Sequence, residues 1–284
     1  VLPLFVRSGF LLNAVIMMLY SALLGQAWNI LAGYGGQFSF GHAVFFGTGA
    51  YAAAVLQAKF GWNAWTTLPA ALALGGAVGA FIGALSFRYG LRGSYFALVT
   101  LAFAEVFRIL ANNVDFTGAG VGIMVKLEPG VANLQFATKA GYLWLILAFI
   151  LAALLVSWWL KNSRYGAWLQ AVRDNEDSAA ALGVNVFRVK LIAIVLSGAL
   201  MAAGGLFYAQ YFQYVDPGLA YGPSVSIEAL LGPIVGGVGT LWGPVLGAVV
   251  LQLLGEGTRG LFQNAPGLSL MLYGALLVLM VTFM

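Results

Sequence analysis

The stretch KNSRYGAWLQAVRDNEDSAAALGVNVFRVK, residues Lys161 to Lys190, decides how this chain is read. It holds eight of the 22 acidic and basic residues in a chain of 284, and four of those eight lie within Arg173-Asp174-Asn175-Glu176-Asp177. To either side the chain is apolar for about 20 residues at a time, as in Ala140–Leu160 and Leu191–Tyr211, the length that spans a bilayer as a helix. A segment this polar cannot lie in hydrocarbon. It reads as an aqueous loop between membrane helices, polar enough to serve as a docking surface.

Composition agrees. Hydrophobic residues make up 62% of the chain and charged residues 8%, whereas a soluble domain carries roughly 25% charged residues. Too little charge is present to cover a water-facing surface. A membrane β-barrel would need strands of about 10 residues alternating apolar and polar, and these runs are apolar on all sides. The expectation is an all-α, polytopic transmembrane bundle with broken and short helices, about eight or more spans, forming one domain over 1–284. Both ends read as cut from longer sequence.

The net charge of +4 reflects basic cytoplasmic loops, not nucleic-acid binding. With no Cys and a single His, His42, neither disulfides nor a metal site is expected. Apolar windows fall at about 10–32, 37–57, 64–87, 93–112, 141–160, 189–213, 225–254 and 265–284, with breaks at glycine, tryptophan and basic turns. Placing the turn 88–92 and the loop 161–190 inside puts Arg88, Arg92, Lys161, Arg164, Arg173, Arg188 and Lys190 in the cytoplasm, as the positive-inside rule requires. The connection 113–140 is then outside.

The seventh window is too long for one span and is interrupted by Gly232-Pro233, Gly236-Gly237, Gly239 and Gly243-Pro244. It reads as two helical pieces joined at the glycines, an arrangement tolerated at membrane depth only inside protein or beside water. Gly35-Gly36 through Gly41 gives the first half a loosely similar break. Gly36, Gly41, His42, Gly236, Gly237, Gly239 and Pro244 are therefore candidate hinge or pathway residues, with His42 read as packed rather than as a proton shuttle. Small residues four apart in Gly75-Gly76-Ala-Val-Gly79-Ala-Phe-Ile-Gly83 predict close helix packing.

Little else carries chemistry. No G-x-x-x-x-G-K-[ST] motif is present, so ATP, if used, binds another chain. Glu105 and Arg108 are spaced to pair on one helix face, and Glu228, Glu256 and Arg259 read as interfacial. No nucleophile–base set suggests an enzyme. In the charged loop, Asp174 or Asn175 can cap a helix with Glu176 and Asp177 in its first turn. Ala179–Leu182 favours helix, and Gly183 suits its C-terminal stop. A helix this short, near 175–182, is unstable alone in water and needs a partner surface.

Ser163-Arg-Tyr-Gly166, Ala171-Val-Arg-Asp-Asn-Glu-Asp177, Ala179-Ala180 and Leu182-Gly183 resemble the cytoplasmic loop of permease subunits from branched-chain amino-acid ABC importers of the LivM type. The resemblance extends over nearly the whole chain, through Asn29–Ala43, Ser94–Glu105 and Gly236–Pro244. It implies that the loop helix is a coupling helix. Arg173, Asp174, Asn175, Glu176 and Asp177 would meet a cytoplasmic ATPase, and Ala179, Leu182 and Gly183 would shape the helix. It also implies a second homologous permease, a periplasmic or lipid-anchored solute-binding protein, and ATP with magnesium on the ATPase. The setting would be the bacterial inner membrane and the cargo a hydrophobic amino acid. Urea or short amides in the same family, or an ion-gradient-driven carrier using Glu105, Arg108 or 226–254, are the alternatives.

Overall fold

Backbone N–H and C=O groups have no water to bond in hydrocarbon, so a chain of this composition satisfies them within helices. The computed structural model describes residues 9–128 and 130–261, together with 271, 274, 275 and 278. Its helices are α1 (Gly9–Asn29, continued by a π-turn Ile30–Tyr34), α2 (Ala43–Phe60), α3 (Ala64–Arg88), α4 (Gly93–Asn113), α5 (Lys139–Asn162), α6 (Arg164–Asp174), α7 (Glu176–Ala181), α8 (Val186–Phe212), α9 (Pro217–Ala220), α10 (Pro223–Gly236) and α11 (Gly243–Leu261). Two short strands, β1 (Ile123–Met124) and β2 (Tyr214–Val215), pair antiparallel.

Among the described residues six helical segments are long and apolar enough to cross a membrane: Gly9–Tyr34, Ala64–Arg88, Gly93–Asn113, Lys139–Asn162, Val186–Phe212 and Pro217–Gly236. The sequence led to about eight or more. The window at 37–57 loses its first residues to a non-helical stretch, 35–42, and its helix α2 is buried on nearly every side. The window at 225–254 divides, as expected, into α10 and α11, with Gly237 (φ 110°) and Gly239 (φ 76°) in the break. The window at 265–284 lies outside the described residues apart from 271, 274, 275 and 278.

The two ends of the bundle are chemically distinct. Arg88, Arg92 and the α6–α7 loop share one end. At the other, β1 from the 113–140 connection pairs with β2 just beyond α8. Lys139 at the start of α5 donates to the carbonyl of Gly9 at the start of α1. The first end is inner and the second outer by the positive-inside rule.

At the centre α8 packs against α1, α2 and α3, burying among others Ala193, Ile194, Ser197, Met201, Leu206 and Phe207. Small residues let it approach closely, as the spacing of Gly75, Gly79 and Gly83 predicts. A side chain on Gly75 would meet Ala202 and the Gly198 carbonyl, and one on Gly79 would meet the Ile194 carbonyl. Tyr20, Phe46 and Phe207 fill the space between α1, α2 and α8.

Candidate functional site: the inner loop and the broken-helix junction

The α6–α7 loop is built from local caps. The Ser163 hydroxyl accepts from the Gly166 amide at 3.1 Å and starts α6. The Asn175 side chain accepts from the Ser178 amide at 2.8 Å and starts α7. Glu176 and Asp177 occupy its first turn, where a helix N-terminus favours negative charge. Gly183, at φ 86°, ends it in the left-handed region, where glycine is at ease. The short helix lies where its sequence puts it. The helix α6 before it was not foreseen. Its signal is the apolar spacing of Leu169 and Val172, both fully buried, on a segment whose charges suggest a solvated loop.

Burial sorts the loop residues by role. Ala179 is buried and anchors α7 to the bundle. Leu182 is 85% exposed, an apolar knob at the tip of the loop. The side chains of Asp174 and Asp177 are 71% and 83% exposed. Glu176 turns inward instead, while Arg173, its side chain 39% exposed, pairs with Asp174 at 3.3 Å and sends its Nη1 inward.

Glu176, with its side chain 13% exposed, receives Arg92 Nε at 2.8 Å and the buried ammonium of Lys190. Gln37 Nε2 donates to the same carboxylate at 3.3 Å. Lys190 also lies over the Phe87 ring, 5.3 Å from its centroid. Arg92 reaches on to Asp177 at 3.2 Å. Its hydrogen bond to Asp177, with the Glu176 charge beside it, holds the guanidinium above its ordinary range. Two cations and two carboxylates thus tie α7 to the α3–α4 turn and to the inner end of α8. Tyr165 of α6 adds a bond from its hydroxyl to the Val189 carbonyl, and burial raises its phenol.

Arg173 makes the second inward link. Its Nη1 donates to the Gly33 carbonyl at 3.0 Å, within the π-turn that ends the first span. Gly36 (φ 65°) lies against the Arg173 stem, where any side chain would collide, and Gly239 lies at the guanidinium. Asn29 completes the junction: its Oδ1 accepts from Gly239 N at 2.8 Å and its Nδ2 donates to the Thr240 carbonyl at 2.9 Å. The candidate hinge glycines and the candidate coupling residues, read separately in the sequence, therefore meet at Arg173. Gly236 packs on the backbone of Gly243 and Gly247, Gly237 turns the chain, and Pro244 packs against Gly25.

Gly41 and His42 stand apart from this junction. Gly41 packs on the Thr100 carbonyl of α4. The Ser197 hydroxyl donates to the Ala27 carbonyl at 2.7 Å, so its oxygen accepts from His42 Nε2 at 2.9 Å. Nδ1 then accepts from the Ser39 hydroxyl at 3.0 Å. The imidazole is neutral and fully bonded, a strut between α1, α2 and α8.

Of the scattered charges, Arg108 pairs with Glu105 on the exposed face of α4, Nε to Oε2 at 2.8 Å. Glu256 accepts from Gln252 at 3.3 Å. The side chain of Arg259 lies outside the described residues. Glu228, read as interfacial, instead accepts a hydrogen bond from Ser21 in the middle of α1. Sequence reasoning missed it because its partner Ser21 lies 207 positions away.

Residues 10–281 match the family described as branched-chain amino acid transport system / permease component. This chain belongs to that family. The permease is 30% identical over 304 residues to the high-affinity branched-chain amino acid transport system permease protein LivM of Salmonella typhimurium. That alignment covers 98% of the chain and 69% of the relative. The Escherichia coli LivM is 29% identical over the same shares. The ribose import permease protein RbsC of Escherichia coli is 26% identical over 215 residues, 74% of the chain and 65% of the relative. No solved structure matches significantly. The permease is thus an ABC-type permease of the branched-chain amino-acid and sugar group, and a multi-pass inner-membrane protein.

Proposed function

We propose that this permease forms the membrane passage of an ATP-driven importer for branched-chain or other hydrophobic amino acids. A solute-binding protein, periplasmic or lipid-anchored, delivers the amino acid to the outer end. Cytoplasmic ATPase subunits, carrying ATP and magnesium, engage α7, and a second homologous permease completes the passage. The full-length similarity to LivM supports the cargo.

One observation carries the mechanism: the loop that presents Leu182 and Asp177 outward is fastened inward at Glu176 and Arg173. A push on α7 reaches the α3–α4 turn through Arg92, the inner end of α8 through Lys190, and the broken-helix junction through Arg173. The ATPase moves the loop as a unit, and the glycines at 36, 237 and 239 absorb the backbone change. Alternating access follows from two arrangements of this junction.

The permease reconstituted with its ATPase and binding protein is expected to accumulate labelled leucine, isoleucine or valine only when ATP is present. Uptake by the permease alone, driven by an ion gradient, would overturn the reading. Transport of urea, a short amide or ribose in place of amino acids would keep the ATP-driven importer and change its cargo.

A further inference from the structure

Ser21 is the thirteenth residue of α1, roughly 18 Å from its outer end and near the middle of a hydrocarbon core about 30 Å thick. Its hydroxyl donates to Glu228 in the second turn of α10. Both side chains are half-buried. A carboxylate at this depth does not face lipid; it faces protein or a water-containing passage.

Among the described residues no Lys or Arg forms an ion pair with Glu228; those pairs lie at the inner face or on α4. Aromatic side chains stand nearby: Tyr20 precedes Ser21 on α1, and Tyr208 is on α8. Phe46 bridges those two rings, 6.4 Å from Tyr20 and 5.6 Å from Tyr208 between centroids. Tyr208 is half-buried, and Ser224, one turn before Glu228 on the same helix face, is exposed. A carboxyl group with hydroxyls and a half-buried phenol nearby suits an organic ammonium: the carboxylate pairs with it and the Tyr208 ring can attract it through its face.

We propose that Glu228, oriented by Ser21 and with the half-buried Tyr208 nearby, is a mid-membrane subsite for the α-ammonium group of the transported amino acid. The inference rests on the amino-acid importer reading. It assigns the permease a part in recognition that the binding protein alone would otherwise carry.

The test uses proteoliposomes holding the permease, its ATPase and its binding protein, with initial rates of labelled leucine uptake. Glu228→Gln keeps the shape and the Ser21 bond but removes the charge, and is expected to lower uptake about tenfold or more, with Glu228→Asp losing less. Tyr208→Leu is expected to raise the leucine concentration for half-maximal uptake about fivefold, and Tyr208→Phe, which keeps the ring, to restore it. Co-purification with the ATPase and an unchanged melting temperature establish that the variants are folded. If Glu228→Gln does not assemble, the Tyr208 pair decides. Wild-type rates in Glu228→Gln, or an unchanged half-maximal concentration in Tyr208→Leu, overturn the subsite and leave the importer standing. Wild-type vesicles that take up no hydrophobic amino acid overturn both.

Discussion

Arg173 and Gly33 lie 140 positions apart, and the guanidinium of the first donates to the carbonyl of the second at 3.0 Å. Gly33 is in the π-turn closing the first span, and Gly239 in the α10–α11 break stands beside the same guanidinium. One side chain from the cytoplasmic loop thus meets both irregular points of the membrane domain. Irregular backbone is where a helix bundle can change shape at least cost.

Removing that contact should therefore uncouple the machine more than it unfolds it. Arg173→Ala is expected to lower ATP-driven uptake about tenfold, matching loss of one charge-assisted hydrogen bond. Arg173→Lys should restore little, because an ammonium on a flexible stem lacks the planar fork. Uptake measured alongside ATP hydrolysis in the same vesicles checks this; the hydrolysis should fall less than the transport.

Glu176 and Asp177 are adjacent, yet their replacements should behave differently. Glu176→Gln leaves Lys190, 3% exposed, without its carboxylate, and is expected to destabilise the permease by about 3 kcal/mol. Asp177→Asn changes an exposed side chain and should alter stability by less than about 0.5 kcal/mol. Its effect should fall on ATPase association instead. Thermal melting in detergent, paired with pull-down of the ATPase, separates the two.

The short helix depends on its cap. Asn175→Ala removes the acceptor for the Ser178 amide and should weaken α7 by about 1 kcal/mol. Asn175→Asp and Asn175→Ser should preserve it. Hydrogen exchange at residues 176–182 reads this directly, with faster exchange expected only in the alanine variant.

Gly36→Ala is a steric probe of the junction. The residue has φ 65°, and an added methyl group would run into the Arg173 stem. A combined backbone and packing strain of about 1–3 kcal/mol is expected. The variant should lose thermal stability, and Arg173→Ala in the same chain should recover part of it by clearing the space. A full loss in the double variant would show that the backbone conformation, not the collision, dominates.

Local chemistry made some of this legible. The cap at Asn175, the stop at Gly183 and the break at Gly237–Gly239 all depend on residues within a few positions of one another, and each stands where its pattern put it. The cation bias likewise separated the two ends of the bundle. Long-range pairing was not legible. Nothing near Glu176 indicates Lys190 or Arg92, so its inward turn looked like any other charge in a polar loop. Ser21 and Glu228 are 207 positions apart. The non-helical run 35–42 has enough phenylalanine to pass for helix, and the bond of His42 with Ser197, 155 positions away, is invisible in the sequence. Apolar windows measure length and greasiness, whereas the number of spans also depends on where the backbone finds partners.

The cluster of Arg92, Glu176, Asp177 and Lys190 balances its own charge. Its members sit on three separate elements and none is indispensable to its own helix. Losing the acid at Glu176 strands the buried Lys190, whereas Arg92 and Gln37 would still hold Glu176 if Lys190 were neutral. The dependence runs one way: relatives that keep the lysine should keep the acid, and a chimera that joins the α6–α7 loop of one permease to α8 of another should fail where α8 brings the lysine and the loop lacks the acid.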